Sequence, residues 1–333
     1  MKIVKGYTRI MLLEQNMFSI EQTSYQEEGS SCRVSFILLS FCSVSFGAVL
    51  FYFIKVLLND FGPWTIAFLR SGAGLVVVVV IMLAFRKPFN LRMIPWIPMA
   101  AMALINTAIP WAFIGFSETR LTSSMASILN ATTPVWTIFI GMLFFKNVST
   151  KMQWLGISIA SFGLIVLLGV NSETIISVDV IGFIGMLTAS LCYGIGSQLS
   201  KRLLSGYSMY QITFGTLLTC MISSGSMAFA TETVSYSDLI SVSNIPMIIG
   251  LGAFGSGIAY ILFYYIIQNG SAEFATMVTY LVPCTALIWG YSLLNEEITW
   301  SLITGLFIVL GGVFIAGRKP RTVKAASMEQ LAE

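Results

Sequence analysis

The sequence predicts an all-α polytopic membrane protein with ten transmembrane helices arranged as two inverted five-helix repeats. Hydrophobic residues make up 56% of the 333 residues and charged residues only 10%, against about 25% charged residues in ordinary soluble proteins. Several apolar stretches exceed the ~18 residues that indicate a transmembrane helix. The second half of the chain also repeats the residue pattern of the first. Together these observations give the class, the number of spans and their arrangement.

Each predicted span has 19 to 25 residues, enough to cross a hydrocarbon core of ~30 Å at ~1.5 Å per residue. The predicted helices are 34–57, 63–85, 95–116, 121–145, 151–170, 179–200, 208–230, 246–268, 273–294 and 299–317. Residues 1–33 and 318–333 are predicted to be N-terminal and C-terminal tails.

Basic residues predict the orientation. Fifteen of the 18 lysines and arginines lie in the tails and in the loops on one side, whereas Lys55 and Arg120 lie on the other and Arg70 lies within a span. Because cytoplasmic loops are enriched in lysine and arginine, both termini are predicted to be cytoplasmic. The predicted location is the cell (cytoplasmic) membrane, with multiple passes.

The internal repeat is the most informative pattern. At a constant offset of 149 residues the matched pairs are Trp111 and Tyr260, Pro134 and Pro283, Gly141 and Gly290, Gly156 and Gly305, and Gly163 and Gly312. Each copy holds five spans, 34–170 and 179–317, and because five is odd the second copy enters the membrane inverted. Inverted repeats are typical of secondary transporters, although duplication in a static membrane protein stays open.

The pattern also resembles a known family. The stretch from Lys55 to Arg70 (KVLLNDFGPWTIAFLR), and a later series comprising AEFA at 272–275, Pro283, LNEE at 294–297, Gly305 and Gly311-Gly312, resemble EamA-type members of the drug/metabolite transporter superfamily. The resemblance covers residues 34–317. It implies two inverted five-helix halves, cytoplasmic termini and export or exchange of small metabolites. The family usually has a glutamate at the end of helices four and nine; Glu296 or Glu297 fits the second position, but the first has Lys146-Asn147.

Prolines within spans indicate where a substrate could bind. A proline leaves the carbonyl four residues earlier without its helical partner, which here affects Asn106, Asn130 and Thr279 through Pro110, Pro134 and Pro283. Such carbonyls must face protein or a water-filled cavity rather than lipid. Ser127, Asn130 and Pro134 also share one helical face, as do Thr276, Thr279 and Pro283.

The predicted substrate cavity follows from these positions and from two aromatic repeat mates. Its residues are Asn106, Trp111, Ser127, Asn130, Pro134, Tyr260, Thr276, Thr279 and Pro283. Simple hydrogen bonding between helices, worth ~0.6 kcal/mol per contact, is the alternative for the polar positions. Arg70 is a possible charge site, with a structural role at the outer surface as its alternative. The paired glycines are predicted to be packing or dimer-contact faces.

The residue types present in the chain also exclude several functions. The chain has no histidine, which removes imidazole catalysis and histidine metal sites. Its five cysteines are widely spaced and interpreted as small buried hydrophobes. We therefore predict no catalytic residues, no metal and no cofactor, and the net charge of +3 does not favour nucleic-acid binding. The expected partners are a small-molecule substrate and the lipid bilayer, with a monomer or weak homodimer as the expected state.

The function predicted is a secondary transporter, an exporter or exchanger of small metabolites such as amino acids or drug-like compounds, which works by alternating access and is not an enzyme. No acidic residue lies near the centre of a span, because Glu118, Glu273, Glu296 and Glu297 all lie at span ends. We therefore expect facilitation or exchange driven by the substrate gradient. Two alternatives are a proton-coupled multidrug exporter using an end-placed acid such as Glu273, and a non-transporting scaffold or sensor.

Overall fold

The computed structural model describes residues 50–145, 150–167, 179–204, 206–269, 275–276 and 281–317. All of these residues belong to one compact unit, Ser43–Glu333. The described residues form helices and no strands, which confirms the predicted all-α class.

Helical segments occur at each predicted position. We label them α1 (residues 50–57), α2 (Pro63–Ala84), α3 (Trp96–Glu118), α4 (Ser123–Phe144), α5 (Lys151–Leu167), α6 (Val180–Leu203), α7 (Met209–Thr231), α8 (Asn244–Gln268), α9 (Leu281–Leu294) and α10 (Trp300–Gly317). In the described part of the chain, α2, α3, α4, α6, α7 and α8 are long and apolar enough to cross a membrane, and α5 and α10 contain shorter apolar helices. The full count of ten spans stays a prediction, because the start of the first span and part of the ninth lie outside the described residues.

Connecting segments meet at two opposite ends of the bundle. Hydrogen bonds join residues near 55–65, 118–124, 232 and 296 at one end, and residues near 89, 201–211 and 267–268 at the other. We call these the outer end and the inner end, after the orientation that the basic residues predict.

Two glutamates fasten helix starts at the outer end. Glu232, just after α7, accepts hydrogen bonds from the backbone N–H groups of Trp64 and Thr65 at 2.9 and 2.8 Å. Glu296, between α9 and α10, accepts them from the N–H groups of Ser123 and Ser124 at 2.6 and 3.0 Å. A carboxylate at a helix N-terminus satisfies free N–H donors and the positive end of the helix dipole. Each contact therefore joins the second half of the chain to a helix of the first.

The predicted glycine faces pack α5 against α10 within the chain. A Cβ added to Gly312 would lie 2.7 Å from the carbonyl oxygen of Gly156 and 2.8 Å from the Cα of Ala160. A Cβ on Gly163 would likewise lie 2.7 Å from the backbone nitrogen of Val309. Because no side chain separates the two backbones at these points, the helices approach as closely as small residues permit. The glycines therefore act as intramolecular packing positions.

Candidate functional site: a cavity between broken helices

Breaks in α3 and α4 coincide with the prolines that predicted them. The α4 span contains two helices, Ser123–Asn130 and Thr133–Phe145, of which the second runs one residue past the span and has Pro134 in its first turn. The hydroxyl of Thr133 donates to the carbonyl of Asn130 at 2.7 Å. In α3 a π-helical turn, Leu104–Ala108, precedes Pro110. The carbonyls that the prolines leave without a helical donor are thus held inside the protein, as expected for helix breaks at membrane depth.

The two halves satisfy each other's broken helices. The hydroxyl of Tyr260 in α8 donates to the carbonyl of Asn106 in α3 at 3.2 Å. The repeat mate of Asn106 at the offset of 149 is Gly255, which lies in a second π-helical segment, Gly250–Ile258. Its carbonyl accepts a bond from Arg70 Nη2 at 3.4 Å. Each half thereby provides a donor to the irregular segment of the other half.

A cavity of about 170 Å³ lies where these segments meet. Its walls are mostly apolar and aromatic, with a few polar groups. The lining residues are Leu50, Phe51, Ile54, Arg70, Trp111, Ile114, Asn130, Thr133, Tyr193, Gly255, Ala259, Tyr260, Phe263, Ile266, Ala275, Thr276 and Val282. Residues from both halves of the chain therefore form one site, at the kind of irregular helix segments that bind substrates in transporters.

The residues predicted from sequence fall into three groups. Those that line the cavity are Trp111, Asn130, Tyr260, Thr276 and the charge candidate Arg70. Those that are buried nearby are Asn106, Ser127, Pro134 and Pro283. Ser127 donates its hydroxyl to the carbonyl of Ser124 at 2.7 Å, a bond within its own helix rather than the bond between helices that was the alternative. Thr279 lies outside the described residues.

Several residues that line the cavity were not predicted from the sequence. Tyr193 lies in α6 among small residues, and its ring reaches the cavity wall together with Thr133 and Phe263. Thr133 directly precedes Pro134, and a hydroxyl one residue before a span-interrupting proline is the signal that could have identified it. Nothing in the sequence around Tyr193 or Phe263 distinguishes them from ordinary packing aromatics.

Arg70 is the charged group in the cavity wall. Its side chain is 5% exposed, its Nε donates to the hydroxyl of Ser256 at 3.0 Å, and its guanidinium carbon lies 3.7 Å from the ring centroid of Trp111. Trp111 in turn meets its repeat mate Tyr260 edge to face, with ring centroids 5.5 Å apart. Among the described residues no carboxylate lies within ion-pair distance of Arg70. The structure therefore places Arg70 at the cavity rather than at the surface.

One lysine at each end of the bundle binds the C-terminal carbonyls of a helix. At the outer end, Lys55 Nζ donates to the carbonyl of Glu118 and, at 2.8 Å, to the carbonyl of Leu121. At the inner end, Lys201 Nζ donates to the carbonyls of Ile267 and Gln268 at 2.6 and 3.3 Å. Ile267 is the repeat mate of Glu118 at the offset of 149. We call these the outer and inner lysine contacts, and they close helix ends on opposite sides of the cavity.

A family model described as the EamA-like transporter family matches residues 34–169 and again residues 180–318. The chain belongs to the EamA-like transporter family. It is thus a multi-pass membrane transporter, in agreement with the resemblance seen in the sequence and with the apolar helices.

Two relatives of this EamA-like chain have names that describe transport. One from Archaeoglobus fulgidus, named an uncharacterized transporter, is 24% identical over 83% of this chain and 96% of its own length. YedA of Escherichia coli strain K12, named an uncharacterized inner membrane transporter, is 26% identical over 81% of this chain and 89% of its own length. A solved crystal structure superposes with a TM-score of 0.66 at 16% identity, covering 85% of this chain and 97% of that one. That likeness concerns the fold alone.

Proposed function

We propose that this EamA-like protein is a secondary transporter that exports or exchanges small metabolites carrying a carboxylate, such as amino acids, through the cavity between its halves. The single observation that carries the proposal is Arg70, a buried guanidinium in the cavity wall with no carboxylate paired to it among the described residues. A buried cation is costly in a membrane and is a functional-site candidate by default.

The geometry of Arg70 favours an anionic group over a cationic one. One face of the guanidinium lies on the ring of Trp111, so that face of the ring cannot also receive a substrate ammonium. Nε and Nη2 are engaged with Ser256 and Gly255, whereas Nη1 makes no hydrogen bond within the described residues. A guanidinium pairs readily with carboxylates. The positive charge would also repel organic cations.

The remaining walls suit a compact molecule with an apolar body. The cavity volume of about 170 Å³ is similar to that of an engineered apolar cavity of about 150 Å³ that binds benzene. Tyr193, Tyr260 and Phe263 offer aromatic surface, and Asn130 and Thr133 offer amide and hydroxyl groups for a second polar substituent. This combination fits an amino acid or a related aromatic or aliphatic acid.

Transport would proceed by alternating access of the repeats 34–170 and 179–317. The inverted repeat gives the two halves equivalent contacts on opposite sides, as the outer and inner lysine contacts illustrate. We place the protein in the cytoplasmic membrane with both termini inside, following the distribution of basic residues. We expect a monomer or weak homodimer.

Flux measurements with charge variants test the substrate class. A resistance screen with toxic metabolite analogues, in cells that overexpress the chain, would identify a substrate, and purified protein in liposomes would then give its rate of transport. Arg70→Gln is expected to abolish transport of the carboxylate substrate. Arg70→Lys is expected to retain part of it, because lysine keeps the positive charge but lacks the paired N–H donors of the guanidinium. Arg120→Gln is the matched control, since Arg120 is an arginine of the outer end that pairs with Asp179. Normal flux in Arg70→Gln would contradict the proposal.

A non-transporting scaffold is the alternative function, and substitutions of the prolines within the helices distinguish a scaffold from a transporter. If the proline-containing α4 and α9 segments form a moving substrate site, Pro134→Ala or Pro283→Ala should impair flux while leaving membrane insertion and yield intact. Wild-type flux in both variants would count against a site at the broken helices.

A further inference from the structure

The most unusual side chain outside the cavity is Glu118, the last residue of α3. It is completely buried, and neither of its carboxylate oxygens has a hydrogen-bond partner among the described residues. Buried polar groups are nearly always hydrogen-bonded. Taking an ionised carboxylate out of water into a dry site costs several kcal/mol, so this burial favours the neutral acid over the anion.

The position of Glu118 connects it to the transport path. Trp111, Ile114 and Glu118 follow one another at steps of three and four, so they lie on one face of α3. Trp111 and Ile114 line the cavity, and Glu118 lies one turn beyond them toward the outer end. Any opening of the cavity at that end would bring water to Glu118.

The charged groups around Glu118 come from several elements. Lys55 of α1, Arg70 of α2 and Glu296, between α9 and α10, are near enough to influence its charge, and the hydroxyl of Ser123 faces it from the start of α4. At the start of α6, Asp179 pairs with Arg120 instead. Lys55 and Arg70 attract the anion and Glu296 repels it, so the burial of the carboxylate is the main influence that favours the neutral acid.

The repeat provides an internal comparison. The inner lysine contact binds the carbonyls of Ile267 and Gln268, and Ile267 occupies the position equivalent to Glu118. The acid at position 118 therefore has no counterpart at the aligned position of the second half, which is an isoleucine. The carboxylate of Glu118 is thus a feature of the outer end alone at this pair of repeat positions.

We propose that Glu118 is a proton-binding site: it holds a proton while the outer end is closed and dry, and releases it when that end opens to water. Opening hydrates the carboxylate and lets it pair with Lys55, so alkaline conditions favour the open outer end and acidic conditions favour the closed one. The proposal rests on the alternating access proposed above but not on the substrate class. It makes the outer end sensitive to protons, although no acid lies near the middle of a span.

Infrared spectroscopy of the full chain in lipid, without substrate, tests the proton directly. A protonated carboxylic acid has a carbonyl stretch separate from the amide bands. We expect this band in the wild type at neutral pH, its loss in Glu118→Gln, and a shifted band in Glu118→Asp, which keeps an acid. Glu296→Gln is the matched control, because the Glu296 carboxylate lies at the same end and accepts three hydrogen bonds from Ser123 and Ser124. A wild type without the band, or a band that persists in Glu118→Gln, would overturn the proposal.

A second measurement links the proton to opening. A cysteine at position 114, introduced into a variant without the native cysteines, is labelled from the outer side with a membrane-impermeant thiol reagent over a pH series. Dividing the labelling rate by that of the same cysteine in the Glu118→Gln background removes the thiol's own pH dependence. The ratio should rise with pH, and a flat ratio would overturn the link to opening. Neither result depends on a substrate, so failure here leaves the Arg70 flux test intact.

Discussion

The packing of α5 on α10 gives a prediction whose size can be worked from the structure. In Gly312→Ala the new Cβ would lie 2.7 Å from the carbonyl oxygen of Gly156 and 2.8 Å from the Cα of Ala160. Carbon contacts are normally about 3.5–4.0 Å, so the helices must separate by roughly 1 Å along the contact. Overpacking of this kind costs about 1–3 kcal/mol, and because backbone cannot rotate away we expect the upper end. Alanine returns up to about 1 kcal/mol of helix propensity, which leaves a net loss of about 2 kcal/mol.

The neighbouring residue provides the control. Gly311 belongs to the same helix, and a Cβ added there meets nothing within 4 Å. Gly311→Ala should therefore lose no stability and gain up to about 1 kcal/mol. The assay is unfolding of the purified protein from mild detergent by increasing dodecyl sulfate, followed by circular dichroism. Equal stability of Gly312→Ala and Gly311→Ala would refute the close-packing argument.

Three further predictions concern polar contacts. Glu232→Gln should lower the free energy of unfolding by about 1 kcal/mol, because the start of α2 loses a charged acceptor, whereas the exposed Glu297→Gln should not; equal effects would contradict the helix-cap interpretation. The Gly182 N–H and Arg120 lower the pKa of Asp179. The charge of Asp179 therefore stabilises the fold at pH values above the unfolded pKa, and this contribution disappears as the pH falls through the folded pKa. The difference in stability between wild type and Asp179→Asn, measured by thermal unfolding, should close under acid. Tyr260→Phe leaves the carbonyl at the Pro110 break without its donor and should cost about 1–3 kcal/mol of stability, and unchanged thermal unfolding would count against that bond.

The fold was accessible from sequence because its determinants are local or periodic. Apolar windows located the helices, and Pro134 and Pro110 marked the breaks found after Asn130 and at Leu104–Ala108. The π-helical segment Gly250–Ile258 has no proline. Its glycines permit the irregular backbone but do not require it, so no local signal fixed it in advance.

The candidate site was accessible only in part, because burial is decided by packing between distant segments. Trp111 and Tyr260 were found since they are repeat mates, but Tyr193 lines the cavity because α6 packs beside it, and no repeat or spacing marks that residue. Glu118 lies at a span end, where an acid is normally hydrated. Its burial depends on Lys55 and Ser123 arriving from other helices, and no spacing in the chain encodes that arrangement.

The two lysine contacts give the sharpest test of alternating access. Each lysine donates two hydrogen bonds to helix-end carbonyls, Lys55 at the outer end and Lys201 at the inner end. Charged hydrogen bonds contribute about 1.5–3 kcal/mol, so removing one contact should shift its end toward opening by about 2 kcal/mol, roughly thirtyfold in the equilibrium. Lys55→Ala should raise labelling of a cysteine at position 114 from the outer side, and Lys201→Ala should lower it because the protein then spends more time open inward. If the lysines were only static helix caps, the two variants would not change the labelling rate in opposite directions. A change in the same direction in both variants would therefore mean that the lysines only stabilise the fold.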